Sequence, residues 1–483
     1  MKIISINLFL VFLSLNIFAN DAIKATIKSN GTLLYFQEQA IVDAFSSMFS
    51  EGTLYGRLRS NNFYFRYNED SDLKQTHMLN GIGASLVYNS ARYKKFDILL
   101  GAYLSQAVFT RSRDAIGQAK SGKDLLSRYN YANNGATHMA VLGQANIRYQ
   151  GIDKTEIIIG RQLLESFYAK SNDTKMAPNT FDGIVFNTEL IANTTLSLAY
   201  LYQQKLRDHT SAHSVLMYGD SKSDSGTNPE WSANDDSAMH KGLTYTALKA
   251  AGKPTDSPLL LLDYENISIE NLEIDTAFYN VPQLLSQAMI EFKYTFNLSG
   301  LTLSPGLRYI NQFDLGAGEV GGASYTGDTV GYKNPRSLDA QMLGARLVAQ
   351  IDAYKINLGY TNILDNADLI TPWRGFPTSG YTRSMGIYNW RANTKSYRLE
   401  LVRDMSDDTA YKDIFVQTSV LYVDEDESKN GKDKMFYYLG LIQNIPSFES
   451  LQWKLRLGYG QYLNSIDNKL SYLDARAELN YLF

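Results

Sequence analysis

The last strand-length segment of the chain alternates almost without fault. Leu473, Ala475, Ala477, Leu479, Tyr481 and Phe483 share one face, and Tyr472, Asp474, Arg476, Glu478 and Asn480 the other, with Leu482 the exception. Successive side chains of a β-strand point to opposite sides, so this segment predicts a strand with an apolar row against a charged row. The segment before it repeats the pattern, with Leu451, Trp453, Leu455, Leu457 and Tyr459 against Gln452, Lys454, Arg456, Gly458 and Gly460. Further upstream, Ile290, Phe292, Tyr294, Phe296 and Leu298 oppose Glu291, Lys293, Thr295 and Asn297. A tight Ser299-Gly300 turn leads to Leu301, Leu303, Leu307 and Tyr309 against Thr302, Ser304, Gly306 and Arg308. Gln341, Leu343, Ala345, Leu347, Ala349 and Ile351 alternate with Met342, Gly344, Arg346, Val348 and Gln350, and Tyr354, Ile356, Leu358 and Tyr360 follow a short Asp352-Ala353 turn. A soluble sandwich also alternates. The number of such segments, their length of about ten residues and their aromatic ends select a transmembrane barrel instead.

Connection lengths sharpen that prediction. Short links fall near 91–94, 151–153, 191–193, 298–300, 352–353, 405–410 and 444–449. Long or polar links fall near 68–78, 107–137, 163–179, 205–256, 313–338, 364–393 and 425–432. Outer-membrane barrels pair short periplasmic turns with longer outer loops; holding that parity requires one more pair of strands between 257 and 280 and brings the total to about 18. The expected fold is all-β, an antiparallel transmembrane barrel whose ends both lie on the periplasmic side. The largest loop, 205–256, is polar and is expected to cover the mouth or to carry a short extra hairpin.

The N-terminus fits export. Lys2 precedes an apolar run over 3–18 and a small residue at Ala19, which reads as a signal peptide over 1–19 with the mature chain starting at or near Asn20. Residues 20–52 are expected to lead into the barrel, with a short helix or plug-like piece around 41–45, and the barrel is expected over 53–483. Beyond residue 20 no stretch approaches the roughly 20 consecutive apolar residues of a membrane helix. Spanning by strands is therefore the remaining option.

Composition removes several functions. Lys+Arg 46 against Asp+Glu 50 leaves a net charge of −4, without the basic surface that nucleic-acid binding needs. With no cysteine there is neither a disulfide framework nor a thiolate metal site. The 34 tyrosines suit membrane–water interfaces, where one end of the ring is apolar and the other wet. Five histidines occur, His77, His138, His209, His213 and His240, all in polar contexts in predicted loops or strand ends. His209 and His213 have the spacing of a helical metal pair but lack the glutamate of HExxH, and are read as solvated loop residues. The glycines at 316–318 and 321–322 lack the Lys-Ser/Thr of a phosphate loop. No strand offers the outward Ser–His pair of a membrane hydrolase. The expectation is a chain that is not an enzyme and uses no metal or cofactor.

The inward row carries the remaining chemistry. With the apolar rows towards lipid, Arg57, Arg59, Arg148, Arg308, Arg346, Arg398, Lys454, Arg456 and Arg476 point into the lumen. Arginine holds carboxylates through two parallel bonds, and rings of basic residues favour anionic solutes. The alternative is that these cations pair with inward Glu400, Asp474 and Glu478. For the set as a whole, guiding solute charge is the favoured reading.

Three stretches, in order along the chain, resemble the OprD family of substrate-specific porins, particularly its epsilonproteobacterial versions. The first runs from Asp43-Ala44-Phe45 through Gly52-Thr53-Leu54-Tyr55-Gly56-Arg57-Leu58-Arg59-Ser60-Asn61-Asn62-Phe63-Tyr64-Phe65 and is similar to the family's opening strand. The second is Ile159-Gly160-Arg161-Gln162 followed by Asp173-Thr174-Lys175-Met176-Ala177-Pro178-Asn179-Thr180-Phe181-Asp182-Gly183, where Lys175 stands at a position usually held by arginine. The third is Pro372-Trp373-Arg374-Gly375-Phe376-Pro377 with Tyr381-Thr382-Arg383. The resemblance implies a narrow channel constricted by the inward-folded third loop, 163–179, with Asp173, Lys175, Pro178 and Asp182 as its marked residues. It also implies a basic ladder on the wall and passive uptake of carboxylate-bearing solutes such as amino acids or organic acids. The expected surroundings are the outer membrane of a Gram-negative cell and its lipid, small anionic or zwitterionic solutes, and a monomer or homotrimer. A general, weakly selective trimeric porin and a structural or adhesin barrel are the rival readings.

Overall fold

A computed structural model describes residues 25–27, 33–35 and 38–483, apart from 72–73, 120–121, 123–124, 172–175, 217–237, 406–412, 446–447 and 465. The expected signal peptide, Asp173 and Lys175 lie outside the described residues.

Eighteen long strands form one closed antiparallel barrel. In chain order they are β1 Thr53–Tyr67, β2 His77–Asn89, β3 Phe96–Phe109, β4 His138–Tyr149, β5 Thr155–Gln162 and β6 Thr180–Thr188. Then come β7 Thr194–Lys205, β8 Leu259–Ile269, β9 Leu272–Val281, β10 Leu285–Tyr294, β11 Leu301–Asp314 and β12 Ala340–Ile351. The circuit ends with β13 Tyr354–Ile363, β14 Thr394–Arg403, β15 Ile414–Asp424, β16 Lys434–Ile445, β17 Phe448–Tyr462 and β18 Tyr472–Leu482. Closure is made where β18 pairs with β1, in a register that sets Arg476 opposite Phe63 and Leu482 opposite Arg57. Reciprocal backbone bonds between Gly56 and Phe483 (2.8 and 3.1 Å) complete that seam. The closed wall itself leaves no free edge for pairing with another chain.

The extra pair required by loop parity is β8 and β9, joined by a two-residue turn in which Asn271 has φ 62°. The turns at Gly300 (φ 77°) and Asp352 (φ 49°) sit where the sequence placed them. Before β1, Ile41–Val42 runs parallel to Arg92–Tyr93, and a short helix, α1, covers Phe45–Ser50. Leucines, tyrosines and phenylalanines such as Phe292, Leu307, Leu347, Leu358, Tyr397 and Leu399 are exposed on the outside of the wall, as a lipid-facing surface requires.

The inner face is not uniformly polar. On β8, Leu259 and Leu261 precede Asp263 and Glu265 on the inward row; on β9, Glu273 and Asp275 precede Ala277, Tyr279 and Val281. The same change occurs between Met289 and Glu291 on β10, and between Arg308 and Ile310 on β11. In each case the apolar half lies at the end of the barrel that carries the long loops, although β9 and β10 are themselves joined there by only residues 282–284. The apolar half buries a hydrophobic core inside the barrel, completed by Leu164, Tyr168, Val215, Leu338, Trp373 and Trp390 from the loops.

That internal core corrects the reading of the histidines. His209 and His213 are only 1% and 4% exposed, with His209 Nδ1 and His213 Nε2 3.0 Å apart. The described parts of the fourth outer loop, 206–216 and 238–258, fold down onto the others rather than standing in solvent, and carry its histidines with them. His240 is buried as well. Its Nδ1 accepts from the Gly242 N–H at 3.1 Å, which leaves Nε2 to donate to Gly322 O at 3.0 Å. Burial pushes the His240 imidazole down to about 4. The unfolded chain therefore binds the extra proton first as pH falls. This contribution is fully present above pH 6.5 and is lost between 6.5 and about 4, at roughly 3 kcal/mol for the interval. Limited proteolysis should show the fourth loop cut faster at pH 4.5 than at pH 7, with His240→Phe reducing the difference and buried His213 of the same loop, also pushed down by burial, accounting for the rest; equal rates for the unaltered protein would contradict it.

Candidate functional site

Two outer loops fold into the lumen and meet there. In the third, a tight turn is closed by Ser166 N–H to Ala169 O (2.8 Å) and Ser171 N–H to Leu164 O (2.8 Å). Tyr168 at its tip sets its ring edge-on against Tyr279 of β9, with centroids 4.8 Å apart. The seventh loop, 364–393, enters beside it. Lys170 N–H bonds Trp373 O (2.8 Å) and Gly375 N–H bonds Tyr168 O (3.1 Å), so the loops join as a short antiparallel ladder. Trp373 is fully buried at that junction and gives its indole N–H to Val215 O of the fourth loop at 2.5 Å.

Beyond the ladder the seventh loop is fixed to the wall by polar bonds. The N–H groups of Tyr381, Thr382 and Arg383 converge on Thr378 O at 3.0–3.2 Å. Asn389 receives the Thr378 hydroxyl at 2.8 Å and donates to the hydroxyls of Thr382 (2.9 Å) and Ser396 of β14 (3.1 Å). Gly359 on β13 is required here, since a Cβ at that position would stand 2.3 Å from Tyr381 O.

The wall facing these loops holds most of the basic row. Arg308 donates through Nε to Glu291 at 2.7 Å and through Nη1 to Pro377 O (2.8 Å) and Ser379 O (2.7 Å). The Tyr381 ring lies 4.4 Å from its guanidinium. Arg346 reaches the other oxygen of the same glutamate (3.2 Å) and Gly380 O (3.3 Å). These two arginines therefore peg the seventh loop to the wall. Arg398 pairs with Glu400, Arg456 with Glu478, and Arg476 with Asp474 at 2.6 Å. Lys454 is buried one register step away, opposite Glu478. Arg57 and Arg59 are buried on the inward row of β1. Arg148 stands apart from this group, paired with buried Asp97 close to the short turns. The pairing alternative weighed from sequence thus describes Arg398, Arg456 and Arg476.

Of the residues expected in the constriction loop, Pro178 lies in it and accepts from Lys205 Nζ at 3.1 Å. Asp182 does not. It sits on β6, because the loop ends where Thr180 begins pairing with Lys205, and it binds Arg161 of β5 through two parallel bonds of 2.7 and 2.6 Å.

Three features escaped the sequence reading. One is Arg161 as the partner of Asp182. Another is an acidic strip on β8–β10, comprising Asp263, Glu265, Glu273, Asp275 and Glu291, into which Lys293 reaches to pair with Glu273 and with Asp275 (2.6 Å). The third is a cationic and aromatic group on the seventh loop. Arg383 lies over Phe376 (4.4 Å), Tyr388 (5.3 Å) and Trp390 (5.9 Å), and Arg374 over Phe376 (5.6 Å). Tyr381-Thr382-Arg383 was visible as a motif, but nothing in its spacing reveals that the loop turns this arginine inward.

No family model matches the chain, and no curated protein matches it by sequence. Solved structures do. Pseudomonas aeruginosa OccK8 (OprE) superposes with a TM-score of 0.66 at 15% identity, over 90% of this chain and 99% of that one. Acinetobacter baumannii OccAB2 gives 0.69 at 16% identity, with coverage of 90% and 99%. Pseudomonas aeruginosa OpdK, solved with vanillate, gives 0.66 at 13% identity over the same shares of the two chains. An 18-stranded wall, long loops on one side only and near-complete mutual coverage give this chain the fold of the OprD/Occ outer-membrane porins.

Proposed function

We propose that the chain is a passive channel of the outer membrane for small solutes bearing a carboxylate. The observation that carries this reading is the cationic wall running from β11 round to β1 opposite two loops folded into the lumen. A carboxylate crossing such a passage exchanges hydration for fixed guanidinium donors, which suit its planar geometry. The process needs no covalent step. The OpdK structure with vanillate and the OccK2 (OpdF) structure with glucuronate, the latter at 12% identity, add support, since both of those molecules are carboxylates.

Purified protein in a planar bilayer should give discrete conductance steps, with a reversal potential in a salt gradient that favours anions. Absence of conductance would remove the channel reading. Conductance that organic acids and amino acids leave unchanged would favour a general porin. Arg57→Ala with Arg59→Ala should move the reversal potential towards cations, and an unchanged value would exclude both residues from charge selection.

A further inference from the structure

The segment ahead of β1 lies against the outside of the wall, not in the lumen. Tyr88 of β2 stands in register with Leu54 and Leu100, both exposed on the lipid-facing row, and donates its hydroxyl to Phe49 O at 2.7 Å. Ile98, on the same row as Phe96 and Leu100, packs on a small cluster of Val42, Met48 and Ala91. Backbone bonds from Ala91 N–H to Met48 O (2.9 Å) and from Arg92 N–H to Ala40 O (2.7 Å) tie the segment to the turn between β2 and β3. With Met48 of α1 against the wall, Phe45 and Phe49 are left on the open face, 61% and 47% exposed, and Ile41 is 76% exposed. This apolar face runs into the wall without a break. Phe45 meets Phe49 at 5.4 Å and Tyr93 at 5.7 Å, Tyr93 pairs with Phe96, and Phe96 meets Tyr149 of β4 at 4.8 Å.

Beside the aromatic line, Lys94 and Lys95 form the turn, with φ 47° and 75°. Two left-handed residues in succession favour Asn-Gly, and other side chains are strained there. Turn geometry therefore does not account for two exposed lysines; what they offer is charge at the level of the rings. The Lys94 ammonium lies 5.2 Å from the Tyr93 ring. Asp43 and Glu51 bracket α1, so the basic character is confined to the turn. We infer that residues 41–50, with Lys94 and Lys95, form a foot that seats in the headgroup layer at the short-turn end and binds anionic phospholipid. The foot continues the lipid-facing surface of the wall, so its apolar face meets the same bilayer. Aromatic rings are favoured at that depth, and lysines beside it attract anionic headgroups. The site lies outside the passage and does not depend on which solute crosses it.

The chain has no cysteine, so a nitroxide on Phe45→Cys reports on this face alone. In nanodiscs of phosphatidylcholine with phosphatidylglycerol, oxygen should relax the label more than an aqueous nickel chelate does. A label relaxed mainly by the chelate would place the segment in water and overturn the inference. Dipolar broadening between labels would give the face to a second copy of the chain, and overturn it equally. Lys94→Asn with Lys95→Gly suits the backbone of the turn while removing both charges, so the variant should remain a heat-modifiable barrel. Native mass spectrometry should show the unaltered protein retaining phosphatidylglycerol about tenfold more than phosphatidylcholine, as two lysines at a membrane surface predict. The double variant should retain both lipids alike. A preference that survives the double substitution, or that the unaltered protein never shows, would refute the lipid site. A protein that conducts no current would fail the channel reading and leave these measurements untouched.

Discussion

Trp373→Ala is expected to raise single-channel conductance and to open the third and seventh loops to protease while the barrel stays closed. The indole is fully buried, lies edge-on to Tyr279 at 4.9 Å, and holds Val215 O of the fourth loop. The backbone carbonyl of the same residue accepts from Lys170 of the third loop. Three loops thus meet at one residue, the third through its backbone and the fourth through its indole. Removing a buried tryptophan costs about 3–5 kcal/mol, from lost transfer free energy and the cavity left behind. That is a large part of what can hold a loop down, yet it is remote from the ladder bonds that close the wall. The variant should therefore migrate on a gel as a folded, heat-modifiable barrel and be cut within 164–171 or 364–393. Unchanged conductance with unchanged protease resistance would mean that the internal core is not what narrows the outer half.

The second large effect is expected at Glu291. This carboxylate is 2% exposed and serves Arg308 and Arg346 at once. Removing one partner of a buried pair costs roughly 3–5 kcal/mol, because the remaining charge is left without compensation. Glu291→Gln leaves two guanidinium groups in that state. Anion preference should rise, seen as a shift of reversal potential towards the chloride value. The seventh loop should also loosen, since the same arginines hold the carbonyls of Pro377, Ser379 and Gly380. Glu265→Gln, at the exposed end of the acidic strip, is the control and should move the reversal potential much less. Equal shifts in the two variants would show that net charge, rather than the release of Arg308 and Arg346, sets selectivity.

The legible parts of this fold are those governed by local rules. The alternation of β17 and β18, the Ser299-Gly300 and Asp352-Ala353 turns and the inward placing of Arg398 and Arg476 follow from a period of two and from turn chemistry. Pairing of Arg476 with Asp474 and of Arg398 with Glu400 was also within reach, since residues two apart share a face. Pairing of Arg308 with Glu291 was not, because it depends on the register between β10 and β11. The inward apolar positions Leu261, Tyr279 and Met289 were harder still. Counted as inward, they look like errors in a wet lumen. They make sense only when the loops they cover are known to fold inside. The burial of His209 and His213 and the inward aim of Arg383 were hidden for the same reason, since each is set by where a long loop travels and not by its neighbours in sequence.

The ladder between the third and seventh loops limits how such a barrel can be altered. Tyr168 and Trp373 lie some two hundred residues apart in the chain, yet each presents a carbonyl that the other's loop satisfies. A graft that replaces one loop alone strands buried backbone groups of its partner, a penalty that no lipid-facing or lumen-facing residue can offset. The two loops therefore act as a single structural unit. Exchanging the two together also has to keep the wall groups that receive them, Gly359, Tyr279, Arg308 and Arg346.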